Sequence, residues 1–228
     1  MSTSYIQELQ KTFQENSNPE RAIQQAKYMK DKFAFYGLTS PERRKLQAPF
    51  LVIEYLPEKE DAFAIVKELW QKPQRELHYF AQELTHKYHK QVTITDIELY
   101  EYLITNNSWW DTVDFIAANL VGNYFKQFPN QREIVIKKWM GSGNMWLQRT
   151  CLIFQLKYKQ ETDTIILSNC INQLLGSKEF FINKAIGWVL REYSKTNARW
   201  VADFVENHNN QLANLSKREA LRILKANS

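Results

Sequence analysis

The chain is poor in the residues that break or staple a fold. Six glycines and six prolines among 228 residues are too few to turn the many corners of a β-sandwich or barrel, whereas abundant Leu, Gln, Lys, Glu and Ala favour helix. Two cysteines, Cys151 and Cys170, have no second pair beside them. That excludes a zinc or iron–sulfur site built from cysteine and leaves two buried thiols as the expectation. The four histidines, His78, His86, His89 and His208, form neither an HExxH pattern nor an i, i+4 pair, so neither a metal nor another cofactor is expected. No window approaches the length of an uncharged membrane span, and Met1–Gln10 lacks the basic end and apolar run of a secretory signal. The expectation is a cytoplasmic protein without membrane contact.

What remains is an ordinary globular composition, with 44% hydrophobic and 24% charged residues, so the chain folds. Thirty Lys and Arg against 25 Asp and Glu give a net charge of +5, which suits a polyanionic partner without demanding one. Helix starts recur along the sequence. Asn18-Pro19-Glu20 reads as an N-cap followed by an N1 proline, and Thr39–Glu42, Thr95–Glu98 and Ser216–Glu219 have capping-box spacing. Between Arg75 and Lys90, Leu77, Phe80, Ala81, Leu84 and Tyr88 fall on one helical stripe, with Glu76, Gln82, Glu83 and Lys87 largely off it. Extended along the chain, this pattern gives about a dozen helices joined by short links, an all-α fold in a single domain over residues 1–228.

A bundle and a solenoid both meet that description, and internal periodicity separates them. Gly141-Ser142 recurs as Gly176-Ser177, Trp146-Leu147 as Phe181-Ile182, Gln148-Arg149 as Asn183-Lys184, and Tyr158 as Tyr193. The common step fits a two-helix unit stacking on its neighbours, a superhelical solenoid of HEAT-like antiparallel helix pairs. Equivalent positions then share a surface, so Asp114, Arg149 and Lys184 should form a row across adjacent helices. Trp110 precedes Asp114 by one turn and Trp188 follows Lys184 by one turn, which puts both indoles on the faces of these charges. Two plainer readings stay open here: tryptophans that fill the core, and an Asp114 that answers a helix dipole, with Ser108 or Asp111 as the cap.

The sequence resembles the DNA alkylation repair glycosylases of the AlkD type over nearly its full length. The likeness is carried by Ala26–Lys30, Thr39–Arg44 (TSPERR), Glu68-Leu69-Trp70, Ser108–Asp114 (SWWDTVD), Trp146–Arg149, Phe154–Gln160 (FQLKYKQ) and Ser177–Thr196. The resemblance implies that Trp110, Asp114, Arg149 and Trp188 line a concave, basic, DNA-binding face, with Tyr28 in the same cleft. It also implies excision of N3- and N7-alkylated purines from double-stranded DNA, by hydrolysis of the N-glycosidic bond to an abasic site.

The residue types suit that chemistry. Alkylation at N3 or N7 makes the purine cationic and a good leaving group, so little acid catalysis is needed. An ionised Asp114 of low pKa is expected to stabilise the oxocarbenium-like sugar and orient water. Arg149 is expected to keep it ionised and to grip a phosphate, and the indoles of Trp110 and Trp188 to attract the cationic nucleotide. Lys27, Arg43, Arg44, Lys157, Lys184, Arg191 and Lys195 are the candidate DNA-binding cations. No lysine is marked as a Schiff-base nucleophile, and no flipped-base pocket is signalled. A monomer is expected. The alternatives are a non-catalytic reader of damaged DNA and a protein-binding scaffold, separable from an enzyme by release of free base.

Overall fold

The side chain of Asn18 accepts a hydrogen bond from the Arg21 N–H, and the Thr39–Glu42 capping box closes in both directions, so two expected helix starts are in place. The computed structural model describes residues 2–224, and among them the regular structure is helical. The helices are α1 (Ser2–Glu15), α2 (Pro19–Tyr28), α3 (Ser40–Gln47), α4 (Lys59–Trp70), α5 (Arg75–Lys87), α6 (Asp96–Thr105) and α7 (Trp110–Phe115). They continue with α8 (Gly122–Gln127), α9 (Pro129–Met140), α10 (Met145–Ile153), α11 (Thr164–Gln173), α12 (Phe180–Ser194), α13 (Ala198–Asn207) and α14 (Asn214–Ala220). A π-helical segment, Ile116–Val121, joins α7 to α8 without a break. The one departure towards extended structure among the described residues is an isolated bridge between Ala34 and Gln74. No helix among them is long and apolar enough to cross a membrane.

The chain divides into two compact units, Met1–Leu99 and Tyr100–Ser228. In the N-terminal unit α4 packs on α5 and α1 packs on α3 and α4. The predicted stripe on α5 is core, since Leu77, Phe80, Ala81, Leu84 and Tyr88 are all buried. Off that stripe, Glu76 and Gln82 are buried as well, whereas Lys87 is exposed. Glu76 accepts the backbone N–H groups of Tyr36, Gly37 and Leu38 at 3.0, 2.9 and 3.1 Å. Such donors make a buried carboxylate tolerable, although burial still raises its pKa. Gly37 adopts φ +86°, and a Cβ there would lie 2.1 Å from the Asn18 carbonyl oxygen, so the turn that delivers these N–H groups needs glycine.

The C-terminal unit is a short helical solenoid. Helices α7, α10, α12 and α14 pack in succession, and α9, α11 and α13 lie against them as the second helix of each pair. The sequence period appears directly as hydrogen bonds from one pair to the next. Arg149 meets Asp114, Lys184 meets Glu219, and Lys126 meets Glu161, each across thirty-five residues. Cys151 and Cys170 are free and buried, and burial pushes both thiols up, Cys170 to about 12.

Two expected caps are otherwise employed. Ser216 and Glu219 lie inside α14, where the Ser216 hydroxyl donates to the Asn183 carbonyl at 2.7 Å and Glu219 turns to cations of α12. At the start of α6, Asp96 reaches back to the Thr93 N–H at 3.2 Å and hydroxyl at 2.6 Å, two residues upstream of the box expected at Thr95.

Candidate active site

Helix α7 begins abruptly. Trp109 is fully extended at φ −156°, ψ 160°, and the next residue is helical. Ser108 does not cap it, as had been open: its hydroxyl donates to the Ile104 carbonyl at 2.6 Å and closes the end of α6. Asp114 therefore stands in the second turn, beyond the strongest pull of the helix dipole. On the neighbouring helix, Asn144 caps α10 by accepting from the N–H groups of Trp146 and Leu147, and Arg149 follows one turn inside. The rings of Trp109, Trp146 and Phe181 meet at centroid distances of 5.1–5.7 Å, locking together the starts of α7, α10 and α12.

This framework aligns a forked ion pair. Arg149 donates through Nε to Asp114 Oδ1 at 2.7 Å and through Nη2 to Oδ2 at 2.8 Å, while Nη1 donates to the Phe181 carbonyl at 2.5 Å. The arrangement holds the carboxylate in one orientation, the geometry that guanidinium provides and ammonium does not. Arg149 is 3% exposed and its donors are engaged within the protein, so it positions Asp114 and does not present itself to a phosphate, contrary to the second half of its expected role. The expectation of a low pKa for Asp114 is also corrected. Burial raises it above the ordinary value, the Arg149 hydrogen bonds and charge pull it back, and nearby Asp111 adds to the rise. In a site this enclosed, loss of hydration outweighs the partner.

Asp114 and Trp188 line one recess of about 350 Å³, together with Phe115, Ala118, Leu156, Lys157 and Glu192. Trp110 is half-buried one turn before Asp114 and is not part of that lining. The recess thus brings together the carboxylate and one indole, with Arg149 behind the carboxylate. Lys157 adds a cation, held by Asn119 Oδ1 at 2.5 Å.

The other expected cations fall into different settings. Lys184 does not extend a row with Arg149, because it pairs with Glu219 at 2.8 Å, and Arg191 meets the same carboxylate at 2.5 Å. These partners hold the Glu219 pKa below its ordinary value. α14 comes this close because Gly187 leaves room: a Cβ there would stand 2.6 Å from the Glu219 Cβ and 2.9 Å from the Ser216 carbonyl oxygen. Lys195 is exposed and pairs with Glu192 at 2.6 Å. In the N-terminal unit, Lys27 and Tyr28 are exposed at the end of α2, Tyr28 by 72%. Arg43, expected at the surface, is buried, donating to Gln47 at 2.6 Å and to Glu83 at 2.8 Å, whereas Arg44 projects outward. Tyr28, Tyr79 and Arg43 share a separate recess of about 320 Å³.

Sequence reasoning passed over Glu192 and read Glu219 only as part of a cap. Both were within reach of the patterns already used, since Glu192 follows Trp188 by one helical turn and Glu219 is the next step of the row through Asp114, Arg149 and Lys184. Among the described residues no group of three or more His, Cys, Asp or Glu is placed to hold a metal ion.

A family model described as DNA alkylation repair enzyme matches residues 9–224. A solved structure described as a predicted DNA alkylation repair enzyme from Enterococcus faecalis is 31% identical, with a TM-score of 0.84, covering 91% of this chain and 96% of that one. No curated protein matches the chain.

Proposed function

We propose, from the premise that the chain belongs to the family of DNA alkylation repair enzymes, that it is a monofunctional glycosylase releasing N3- and N7-alkylated purines from double-stranded DNA. The observation that carries this reading is Asp114, a carboxylate fixed by both arms of Arg149 at the wall of a recess that also holds Trp188. The substrate base is already cationic, so it departs as a neutral purine when the N-glycosidic electron pair moves onto it. Positive charge passes to the sugar, where an ionised Asp114 stabilises it. Water then bonds to the anomeric carbon and gives up one proton to solvent, leaving an abasic site. The balance is one cationic nucleotide and one water in, one neutral base, one abasic sugar and one proton out.

Preorganisation is the source of the rate gain. Arg149 holds the carboxylate before substrate arrives, so no reorientation is needed when charge develops. Trp188 favours a cation beside its face by roughly 0.5–2 kcal/mol. Intrinsic lability supplies the remaining selectivity, because cationic lesions need only a modest reduction of the barrier. Acting on the sugar, the enzyme leaves the base in its stack, and a bulky substituent on the base does not slow release. The reading includes a single repeat domain that acts as a monomer in the cytoplasm, with no lyase step and no cofactor.

The test is release of free base from duplexes carrying N7-methylguanine or N3-methyladenine. Wild type should release it and Asp114→Asn should lose at least about a hundredfold in rate while binding the same DNA. Binding without release by the wild type would make the protein a non-catalytic reader, and neither binding nor release would leave a protein-binding scaffold.

A further inference from the structure

Two carboxylates line the recess that holds Trp188. Besides Asp114, Glu192 reaches it from α12, one turn beyond the indole. Each carboxylate has a cationic partner, and neither partner belongs to the lining. Arg149 is buried behind Asp114. Lys195, whose Nζ donates to Glu192 Oε2 at 2.6 Å, lines an adjoining recess of about 250 Å³. The two acidic residues thus border the cavity with their direct partners outside it, against one cation in the lining, Lys157, which is held by Asn119.

Structure alone gives little reason for an acid at position 192. It lies in the last turn of α12, where a negative charge opposes the helix dipole. Its ion pair with Lys195 spans i, i+3 with side chains 35% and 52% exposed, an arrangement that adds little stability. A carboxylate in a phosphate-binding protein also repels the backbone of undamaged DNA. Each of these costs is offset if the recess receives a cation.

We propose that Glu192 sets the preference of this recess for positively charged nucleotides over neutral nucleotides of the same shape. The inference rests on the excision reading above and names what selects the substrate at that same site. Asp114 and Trp188 attract a cation, and Glu192, on the helix of Trp188, adds a second negative charge to the lining against the single positive charge of Lys157. A neutral nucleotide gains nothing from that charge, and an undamaged duplex loses by it. Glu192 acts through the potential in the recess and exchanges no proton or bond with the substrate.

The experiment compares full-length wild type, Glu192→Gln and Glu192→Asp on duplexes containing N7-methylguanine or its uncharged 7-deaza analogue of the same outline. Binding and base release are measured separately. Glu192→Gln should lower the binding preference for the cationic duplex about fivefold, Glu192→Asp should recover part of it, and the thermal midpoint of all three should agree. An unchanged preference in Glu192→Gln overturns the inference, as does a wild type that binds both duplexes equally or binds neither. A wild type that prefers the cationic duplex yet releases no base removes the excision reading, and the binding ratio still decides the role of Glu192.

Discussion

Each unit of the molecule buries an arginine against a carboxylate, and the two pairs are nearly alike in enclosure. Arg43 and Glu83 have side chains 5% and 18% exposed, Arg149 and Asp114 4% and 15%. The difference lies in which partner borders a cavity. In the N-terminal unit the cation Arg43 lines the recess beside Tyr28 and Tyr79, and Glu83 does not. In the C-terminal unit the anion Asp114 lines the recess beside Trp188, and Arg149 does not. Burying a salt bridge says little about function by itself, because hydrogen bonds offset the desolvation cost in both places, through Glu83 and Gln47 in the first and a two-pronged fork and the Phe181 carbonyl in the second. The member of the pair left facing the cavity is thus the cation in the first unit and the anion in the second.

The largest effect is expected from cutting each pair at its arginine. Arg149→Ala should destabilise by about 3–5 kcal/mol, since it strands a buried carboxylate, and Arg43→Ala by less, since Glu83 keeps Gln47 and Arg44; chemical denaturation measures both. At a temperature where both variants are folded, Arg149→Ala should lose base release, whereas Arg43→Ala should weaken DNA binding and keep it. Equal behaviour of the two in the release assay would erase the contrast between the units.

Acidification offers the next test. The folded pKa of Asp114 is raised above the ordinary 3.8, and the reaction uses the ionised form. Base release should therefore fall as pH drops through a midpoint above 3.8, after subtraction of spontaneous depurination. The stability contribution runs the opposite way, being full below the ordinary value and lost as pH rises through the raised one. An acid limb at or below 3.8 would place the working carboxylate elsewhere. The smallest effect belongs to Trp188→Ala, which should slow release of cationic lesions about tenfold and leave binding of undamaged DNA nearly unchanged in a fluorescence titration.

Local signals were readable where the sequence contains both halves of an interaction close together. Asn18 with Arg21, Thr39 with Glu42, and the apolar stripe on α5 were all legible for that reason. The thirty-five-residue step also identified which positions stack, and with them Asp114 and Arg149. It did not say how stacked charges pair. Lys184 could face back towards Arg149 or forward to Glu219, and only packing of α14 on Gly187 decides for the latter. Ser216 and Glu219 have the spacing of a cap, yet their partners lie on another helix. The burial of Glu76 was not legible because its three backbone donors are some forty residues away, at a turn that no helical pattern describes. The exposure of Arg43 was misjudged for the same reason, since Glu83 is distant in sequence.

The π-helical segment Ile116–Val121 begins two residues after Asp114. A π turn accommodates one more residue than an α turn, so the excess sits between the carboxylate and the rest of its helix. Because the wide turn absorbs that residue, removing one residue there would return the segment to ordinary winding with Asp114 still aimed close to its present direction. The spare residue is therefore slack in the winding, and the aim of the carboxylate at Arg149 is set by the packing of α7 on α10.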